Sequence, residues 1–417
     1  MKIFFIPVPI FDEDMAVMAY YFRYQHGDNP IIFDQKLTHQ FDGKIASQLF
    51  DLLDEIGIEP FTLGRPIFVP VSNINLLSGF SRKGVLGPKP DQIILRLDET
   101  VTEEDIYIDA IKKAKDEGYK IALKLPKNVN DYRVILGLCD YIVVDQKTAN
   151  KKEAMQLIKG YPNAKSVATH VDSYNLFNLA NASGYDMFEG KFYSIPVPMG
   201  QTEISPLKMI SIQLLNEVSK DDFDINEVAQ LIQKDVALTV SLLSFVNSQQ
   251  KGDQKISTIS HAAAMLGQYE IRKWCSTAAS SAMASDKPNE INKHSLIRAK
   301  FAENLAPIFG LSKDSESIFL MGLFSMLDVI MDKSIEEALT LVSVSEDIKA
   351  ALVYNNGKFS QIYEFIQKYE SCDWTNVARL MILNNSTVEE IFEAYMSTLT
   401  WYKDLLHSFE AFQEDMN

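Results

Sequence analysis

Polar side chains stand at the ends of short apolar runs in the first half of the chain, where the functional groups of a sheet protein would lie. Arg96 and Lys124 lie near the ends of two such runs, and Asp145, His170 and Asp172 follow later ones. His170 and Asp172 are two apart, so on a strand both would face the same side. Paired carboxylates at such a place could hold metal ions and activate water. Here the carboxylates Asp145 and Asp172 are accompanied by the cations Arg96 and Lys124. These cations would repel a metal ion and could instead attract an anionic ligand.

The elements that must position these residues alternate between strand and helix. The clearest predicted strands are Pro66–Val71, Gln92–Leu97, Lys120–Leu125 and Asp140–Val144. Between them, Glu103–Glu117 places apolar residues on one helical face, with Thr102 as its start and Gly118 as its stop. Strands that alternate with helices predict a parallel sheet or a (β/α) barrel.

Several segments occur in the order seen in a known family of barrels. Pro9–Asp12 leads into Val17–Arg23, and Glu189–Pro196 has the character of a closing strand. This half resembles an EAL domain, which implies a TIM-like barrel that hydrolyses cyclic di-GMP with divalent metal. The resemblance places metal ligands and their partners at positions that hold other residues here: Tyr21, Pro70, Arg96, Lys124, Leu125 and Val143. The polar remnants are Asp145, Thr169, His170 and Asp172. The resemblance therefore implies a degenerate barrel.

Aromatic and paired polar residues in this half each have a second interpretation. Tyr21 could plug the vacated site or simply pack within its strand. For His170 and Asp172 we favour a solvated loop pair over a residual binding site. Glu103 and the two acids after it are expected at a helix start from the helix dipole alone.

After Pro206 the sequence is helical throughout. Asp224 and Thr387 are predicted caps of two of these helices. Segments such as Leu242–Ser248 and Ile318–Asp328 resemble those of HDOD domains, helical relatives of HD phosphohydrolases. The resemblance places the His-Asp dyad of HD enzymes at Ser325 and Met326, which are poor ligands for a hard metal. His294 is the one surviving HD-type candidate, and we favour a capping or packing role for it.

The composition is that of a globular protein, with 47% hydrophobic and 23% charged residues. Net charge is −16, which argues against sequence-independent nucleic-acid binding. Residues 1–200 hold 22 Lys+Arg and 26 Asp+Glu, whereas residues 201–417 hold 18 and 30, so two modules with different surfaces are expected. The three widely spaced cysteines form no metal or disulfide pattern, which suits a reducing cytosol.

The predicted organisation is a degenerate EAL-type (β/α) barrel over residues 1–196 and an all-helical HDOD domain over residues 197–417. The leading functional hypothesis is a cytoplasmic, non-enzymatic signalling scaffold without catalytic residues, metal or cofactor. Its expected partners are signalling proteins, not yet identified, with a homodimer left open, and it would neither bind nucleic acid nor insert into a membrane. On this hypothesis it does not bind cyclic di-GMP. The alternative is an inactive receptor for cyclic di-GMP or another anion at the barrel mouth.

Overall fold

The computed structural model describes residues 4–24, 57–78, 89–98, 100–125, 129–196, 204–248 and 256–415, together with Phe50 and Leu53. The chain forms two compact units. The first comprises Met1–Ile195 and Tyr369–Arg379, and the second Pro196–Lys368 and Leu380–Asn417. The two units are defined by contacts within the folded chain. The domain limits expected from the sequence, 1–196 and 197–417, stay a prediction.

Eight strands close into a barrel in chain order. β1 pairs antiparallel with both β2 and β8, and every other neighbouring pair is parallel. The strands are β1 (Phe5–Phe11), β2 (Val17–Tyr24), β3 (Ile67–Val71), β4 (Ile93–Leu97), β5 (Lys120–Lys124), β6 (Tyr141–Asp145), β7 (Lys165–Thr169) and β8 (Met187–Glu189). The helices described here are α1 (Glu59–Thr62), α2 (Asn73–Ser78), α3 (Asp105–Asp116), α4 (Arg133–Leu138), α5 (Lys151–Lys159) and α6 (Tyr174–Ser183). The predicted (β/α) barrel is confirmed.

The four strands predicted most clearly form within one residue of their expected limits. The closing segment differs: β8 ends at Glu189, and Phe192–Ser194 is a 3-10 turn, so most of the predicted closing strand lies after the barrel. His170 and Asp172 also lie beyond their strand, because β7 ends at Thr169. Glu103 accepts hydrogen bonds from the N–H groups of Val134 and Ile135, so this acid stabilises the start of α4 rather than that of α3.

The segment Tyr369–Arg379 packs with the barrel through aromatic side chains. Phe4 lies 5.6 Å from Tyr369 and 5.9 Å from Trp374, between ring centroids, and all three side chains are buried. The Tyr369 hydroxyl donates to the carbonyl of Phe5 over 3.5 Å. These contacts place chain from late in the sequence beside the first strand.

The second unit is helical, as predicted. Its helices, including those shared at their ends with the first unit, are α7 (Pro206–Val218), α8 (Ile225–Gln233), α9 (Val236–Ser248), α10 (Ile259–Met283), α11 (Asn289–Leu305), α12 (Ser315–Phe324), α13 (Leu327–Met331), α14 (Ile335–Leu339), α15 (Glu346–Tyr354), α16 (Ser360–Glu370), α17 (Trp374–Leu383) and α18 (Val388–Asp415). The caps Asp224 and Thr387 are confirmed, since each side chain accepts a hydrogen bond from the backbone of its helix's first turn. No helix in the described part of the chain has the length and apolarity needed to cross a membrane.

The segments Ser257–Leu266 and Glu270–Ala284, which the sequence predicts as separate helices, lie on either side of a break within α10 at Gly267, whose φ of 74° and ψ of 171° are not helical. One helical prediction needs correction. The single helix expected over Ser315–Met331 is instead interrupted between Phe324 and Leu327. The interruption falls on Ser325 and Met326, the two positions that carry the dyad in the HD resemblance.

Gly322 allows α11 and α12 to approach closely. A Cβ added there would lie 2.6 Å from Ala299 Cα and 2.7 Å from the Arg298 carbonyl oxygen, both backbone atoms. We expect Gly322→Ala to destabilise the protein by about 1–3 kcal/mol, because the two helices must separate. Urea unfolding followed by circular dichroism measures the loss, and an unchanged unfolding midpoint would contradict this account of the helix contact.

Candidate functional site

The barrel interior has two layers of side chains at its carboxyl end. The lower layer is apolar and fully enclosed: Ile10, Ala19, Phe68, Ile94, Ala122, Val143, Val167 and Met187. Residues two further along a strand point to the same side. The upper layer therefore comes from the same strands and is mostly polar: Tyr21, Pro70, Arg96, Lys124, Asp145, Thr169 and Glu189. The predicted site residues are brought together by this repeated two-residue step.

A cavity of about 340 Å³ opens above the apolar layer. Its polar lining consists of Tyr21, Arg23, Arg96, Lys124, Thr169, His170 and Glu189. An adjoining cavity of about 500 Å³ shares Arg23 and His170 and adds Lys147, Asp172 and Lys191. We call the two cavities together the barrel mouth.

Arg96 extends from β4 towards Tyr21 on β2. Its Nη2 donates to the Tyr21 hydroxyl over 2.6 Å, and its guanidinium carbon lies 4.3 Å from the centroid of the Tyr21 ring. In the described part of the chain no carboxylate lies within ion-pair distance of Arg96. Tyr21 thus lines the mouth and orients a cation, so it does more than pack within its strand.

Arg23 and Glu189 form the shortest ion pair among the described residues of the mouth. Arg23 Nη2 lies 2.5 Å from Glu189 Oε1, and the Glu189 side chain is only 3% exposed. Burial alone would lower the pKa of Arg23, but the adjacent Glu189 carboxylate outweighs it and the pKa is raised. Neither residue is among the site residues predicted from the sequence. Two features of the sequence point to them: Arg23 lies two residues after Tyr21 on the same strand, so both side chains face inward, and Glu189 is the last residue of the closing strand.

Asp145 is the most buried carboxylate among the predicted polar remnants. Its Oδ1 lies 3.0 Å from His170 Nδ1 without hydrogen-bond geometry, and its Oδ2 lies 3.7 Å from Lys124 Nζ. Asp145 Oδ1 also accepts a hydrogen bond from the backbone N–H of Lys147. These neighbours already engage the carboxylate that a metal would need.

His170 has a left-handed backbone, with φ 59°, which is uncommon for a residue other than glycine. The backbone N–H of His170 donates a hydrogen bond to Glu189 Oε2 over 3.3 Å. The conformation turns the chain out of β7, so His170 and Asp172 do not share one face of a strand. Instead, His170 reaches the inner cavity and Asp172 the outer one.

Asp172 pairs with Lys147 at the outer cavity, over 2.8 Å. Burial would raise the pKa of Asp172, but the hydrogen bond and positive charge of Lys147 outweigh it, and the pKa is lowered. The backbone N–H of Lys191 donates to the same carboxylate. Lys147 and Lys191 were also missed by the sequence analysis, because each lies in a loop that no periodic pattern marks.

Three predicted positions do not contribute a polar group to the mouth. Pro70 is buried in β3 and lines neither cavity. Leu125 continues the sheet beyond β5 by donating its N–H to the Val143 carbonyl. Val143 does line the inner cavity, but as part of the apolar layer.

The HD-type positions in the second unit are engaged by an arginine. Arg298 Nη1 lies 3.1 Å from Ser325 Oγ and 3.2 Å from Met326 Sδ, and also contacts the Ser325 carbonyl. The Ser325 hydroxyl donates to the Gly322 carbonyl over 2.6 Å. His294 lies half-buried on α11, one helical turn before Arg298. The Arg298 guanidinium therefore contacts the uncharged oxygens of Ser325 and the sulfur of Met326.

The mouth is cationic in an acidic protein. Among the described residues, five cationic side chains (Arg23, Arg96, Lys124, Lys147 and Lys191) face three carboxylates (Asp145, Asp172 and Glu189), although the chain's net charge is −16. Among the residues that the structure describes, no three His, Cys, Asp or Glu side chains come together as a metal site. The arrangement can attract an anion and does not gather ligands around a cation.

Comparison with known proteins assigns a family to part of the second half. Residues 204–361 match the HDOD domain family. The chain contains an HDOD domain. Over its whole length it is similar to the uncharacterized protein YuxH of Bacillus subtilis, with 26% identity over 417 residues, 97% of this chain and 99% of that protein.

Two further proteins are similar to parts of this chain. It is 27% identical over 320 residues to the cyclic di-GMP phosphodiesterase CdgJ of Vibrio cholerae, covering 76% of this chain and 74% of that protein. Its fold is similar, with a TM-score of 0.33 and 15% identity, to an EAL domain protein from Listeria monocytogenes, over 47% of this chain and 89% of that one.

Proposed function

We propose that this chain is a non-enzymatic signalling scaffold of the EAL–HDOD type, whose barrel does not hydrolyse cyclic di-GMP. The observation that carries the proposal is the pair Arg96 and Lys124, whose side chains line the inner cavity where the EAL resemblance places metal-binding carboxylates. A divalent cation there would meet two positive charges instead of neutralising ligands.

The remaining acids do not compensate. Glu189 is paired with Arg23, Asp172 with Lys147, and Asp145 lies between Lys124 and His170. Metal-assisted hydrolysis needs a bound metal to lower the pKa of water or polarise the phosphate. Because each of these three acids of the described mouth already has a cation or histidine beside it, we infer that none is free to hold that metal. Because the relative CdgJ is named a cyclic di-GMP phosphodiesterase, hydrolysis of cyclic di-GMP by this chain is to be tested directly.

The second unit supports the same proposal. Arg298 approaches Ser325 and Met326 where a metal-binding dyad would lie in an HD enzyme, and the guanidinium brings positive charge to that place. Burial raises the pKa of the nearby Asp328, although Arg298 opposes this, so the carboxylate is less readily ionised than usual. Both units thus place an arginine where the resemblance expects metal chemistry.

A scaffold acts through its surface. On the barrel, Ile74 of α2 is 68% exposed and Ile106 of α3 is 56% exposed. The two helices are linked by Asn73, whose side-chain amide donates to the Tyr107 hydroxyl over 3.2 Å. Exposed apolar side chains on linked helices suit contact with a protein partner. From the EAL–HDOD resemblance alone, we propose that this partner acts in motility, biofilm or stress signalling.

The test is turnover of cyclic di-GMP by the full chain with Mg²⁺ or Mn²⁺, with product analysed by chromatography and CdgJ assayed in parallel. We expect no linear product above the rate without protein. Metal-dependent product from this chain, lost when Asp145 is changed to Asn, would overturn the proposal.

The second candidate function is a receptor that binds an anion without cleaving it. It is favoured by one observation: the half-buried Arg96 faces the inner cavity beside the Tyr21 phenol, and no carboxylate of the described residues lies within ion-pair distance of it.

A further inference from the structure

We propose that the barrel mouth binds a small phosphate monoester, with the phosphate between Arg96 and Lys124. This inference rests on the proposed absence of metal-dependent hydrolysis, because a metal at the same place would exclude the arrangement. It deepens the receptor candidate by assigning the class of ligand and the side chains that hold it.

Arg96 is the cation best prepared for an anion. Its guanidinium is half-buried and held by Tyr21 from one side, through the hydrogen bond and the ring contact. None of the described carboxylates lies within ion-pair distance of this guanidinium, and a partly desolvated cation without such a partner is unfavourable until an anion arrives. Because the guanidinium presents several N–H groups in a planar fork, its free edge suits two oxygens of one phosphate.

Lys124 supplies the second charge. It lies on β5, the strand next to the β4 strand of Arg96, and Arg96 pairs in register with Ala122, two residues before Lys124. Its ammonium lies 3.7 Å from Asp145, a long ion-pair distance, and its side chain is 46% exposed. The lysine can therefore turn towards an incoming phosphate without breaking a short ion pair.

The cavity limits the size of the ligand. Its volume of about 340 Å³ is near the lower end of the range for small-molecule sites, and its floor is formed by apolar side chains such as Ile10, Phe68 and Val143. An apolar or aromatic body can rest there while the phosphate stays with the cations above. The inner cavity, which holds Arg96 and Lys124, therefore fits one nucleotide-sized body better than two.

The charge also favours a monoester over a diester. Two cations, one of them without a carboxylate partner in the described chain, match the nearly double negative charge of a phosphate monoester at neutral pH. Each phosphate of a diester carries a single charge. The barrel thus has the size and charge for a mononucleotide or a sugar phosphate.

The test is calorimetric titration of the full chain at low and at high salt with four probes: GMP, inorganic phosphate, guanosine and cyclic di-GMP. We expect GMP to bind, more weakly at high salt, and guanosine not to bind. Arg96→Gln and Lys124→Gln should each weaken GMP binding by about tenfold or more. Arg65→Gln is the matched control, because Arg65 is exposed just before β3, at the opposite end of the barrel.

Three results would overturn the proposal. These are no binding of GMP or phosphate by the wild type, equal GMP affinity in all variants, or tighter binding of cyclic di-GMP than of GMP. Unfolding curves of each variant check that Arg96→Gln has not simply unfolded, and the exposed Lys124 provides a second variant if it has. Cleavage of cyclic di-GMP in the same samples would instead overturn the proposed lack of hydrolysis, so the two failures are distinguishable.

Discussion

Replacing Gly190 by Ala should destabilise the barrel more than any other single methyl addition considered above, by about 3 kcal/mol or more. A Cβ at this position would lie 2.1 Å from the Val171 carbonyl oxygen and 2.6 Å from the Val171 nitrogen. The φ of Gly190 is 157°, a value that side-chain-bearing residues rarely adopt. The backbone cannot move aside easily, because Val171 donates to Glu189 and accepts from Phe192 on either side of the glycine.

Gly190→Ala should also disturb the side chains of the barrel mouth, besides lowering the stability of the fold. Glu189, which precedes the glycine, pairs with Arg23 and accepts from the His170 backbone. Urea unfolding of Gly190→Ala measures the stability, and Gly137→Ala is the control, since a Cβ there meets nothing within 4 Å. We expect the control to be neutral or slightly stabilising. Equal unfolding midpoints for the two variants would contradict the packing described at the end of β8.

Replacing Glu303 by Gln should destabilise the second unit by about 2 kcal/mol or more, because it leaves two partly buried lysines without their shared anion. Lys273 Nζ lies 2.7 Å and 2.8 Å from the two carboxylate oxygens, and Lys300 Nζ lies 2.7 Å from one of them. The Tyr269 hydroxyl donates to the same group over 3.2 Å. Burial lowers the pKa of Lys273 even with Glu303 beside it, which shows how unfavourable that cation is in its surroundings.

The stability difference should depend on pH in one direction. Burial would raise the pKa of Glu303, but Lys273 and Lys300 outweigh it, and the pKa is lowered. A carboxylate with a lowered folded pKa contributes its full stability above its unfolded pKa, and loses it as pH falls through the folded value. The deficit of Glu303→Gln should therefore be largest near pH 7 and smaller near pH 4.

Urea unfolding at the two pH values measures this deficit, with Glu336→Gln, a change at an exposed glutamate of the same unit, as the control. A deficit that grows as pH falls would contradict the ion cluster.

The barrel could be predicted from sequence because its strands are short β-branched runs with helices between them. The sequence left open whether Arg96 and Lys124 point inward; in the structure they do, because each lies two residues beyond an apolar residue of the barrel interior. The second unit could be predicted as helical because its sequence shows a helical pattern throughout. The caps Asp224 and Thr387 could be predicted because Asp and Thr side chains readily accept hydrogen bonds from the first turn of a helix.

Other parts of the site depend on backbone geometry that local pattern does not encode. His170 leaves β7 with a positive φ, so its side chain meets Asp145 rather than lying parallel to Asp172. The pair Arg23 and Glu189 joins residues 166 positions apart, which only closure of the barrel brings together. Likewise, the break at Ser325 coincides with contacts from Arg298 on another helix, and no helix-breaking residue marks it in the sequence.

The most direct test of the central claim is whether the barrel mouth holds a divalent metal at all. Titration of Mn²⁺ into the full chain, with free Mn²⁺ followed by electron paramagnetic resonance, measures this without any substrate. The cations of the mouth predict that the signal stays that of the free ion at equimolar protein, in the wild type and in Asp145→Asn alike. Stoichiometric loss of the free-ion signal that is abolished by Asp145→Asn would contradict the account, because the mouth would then still be a metal site.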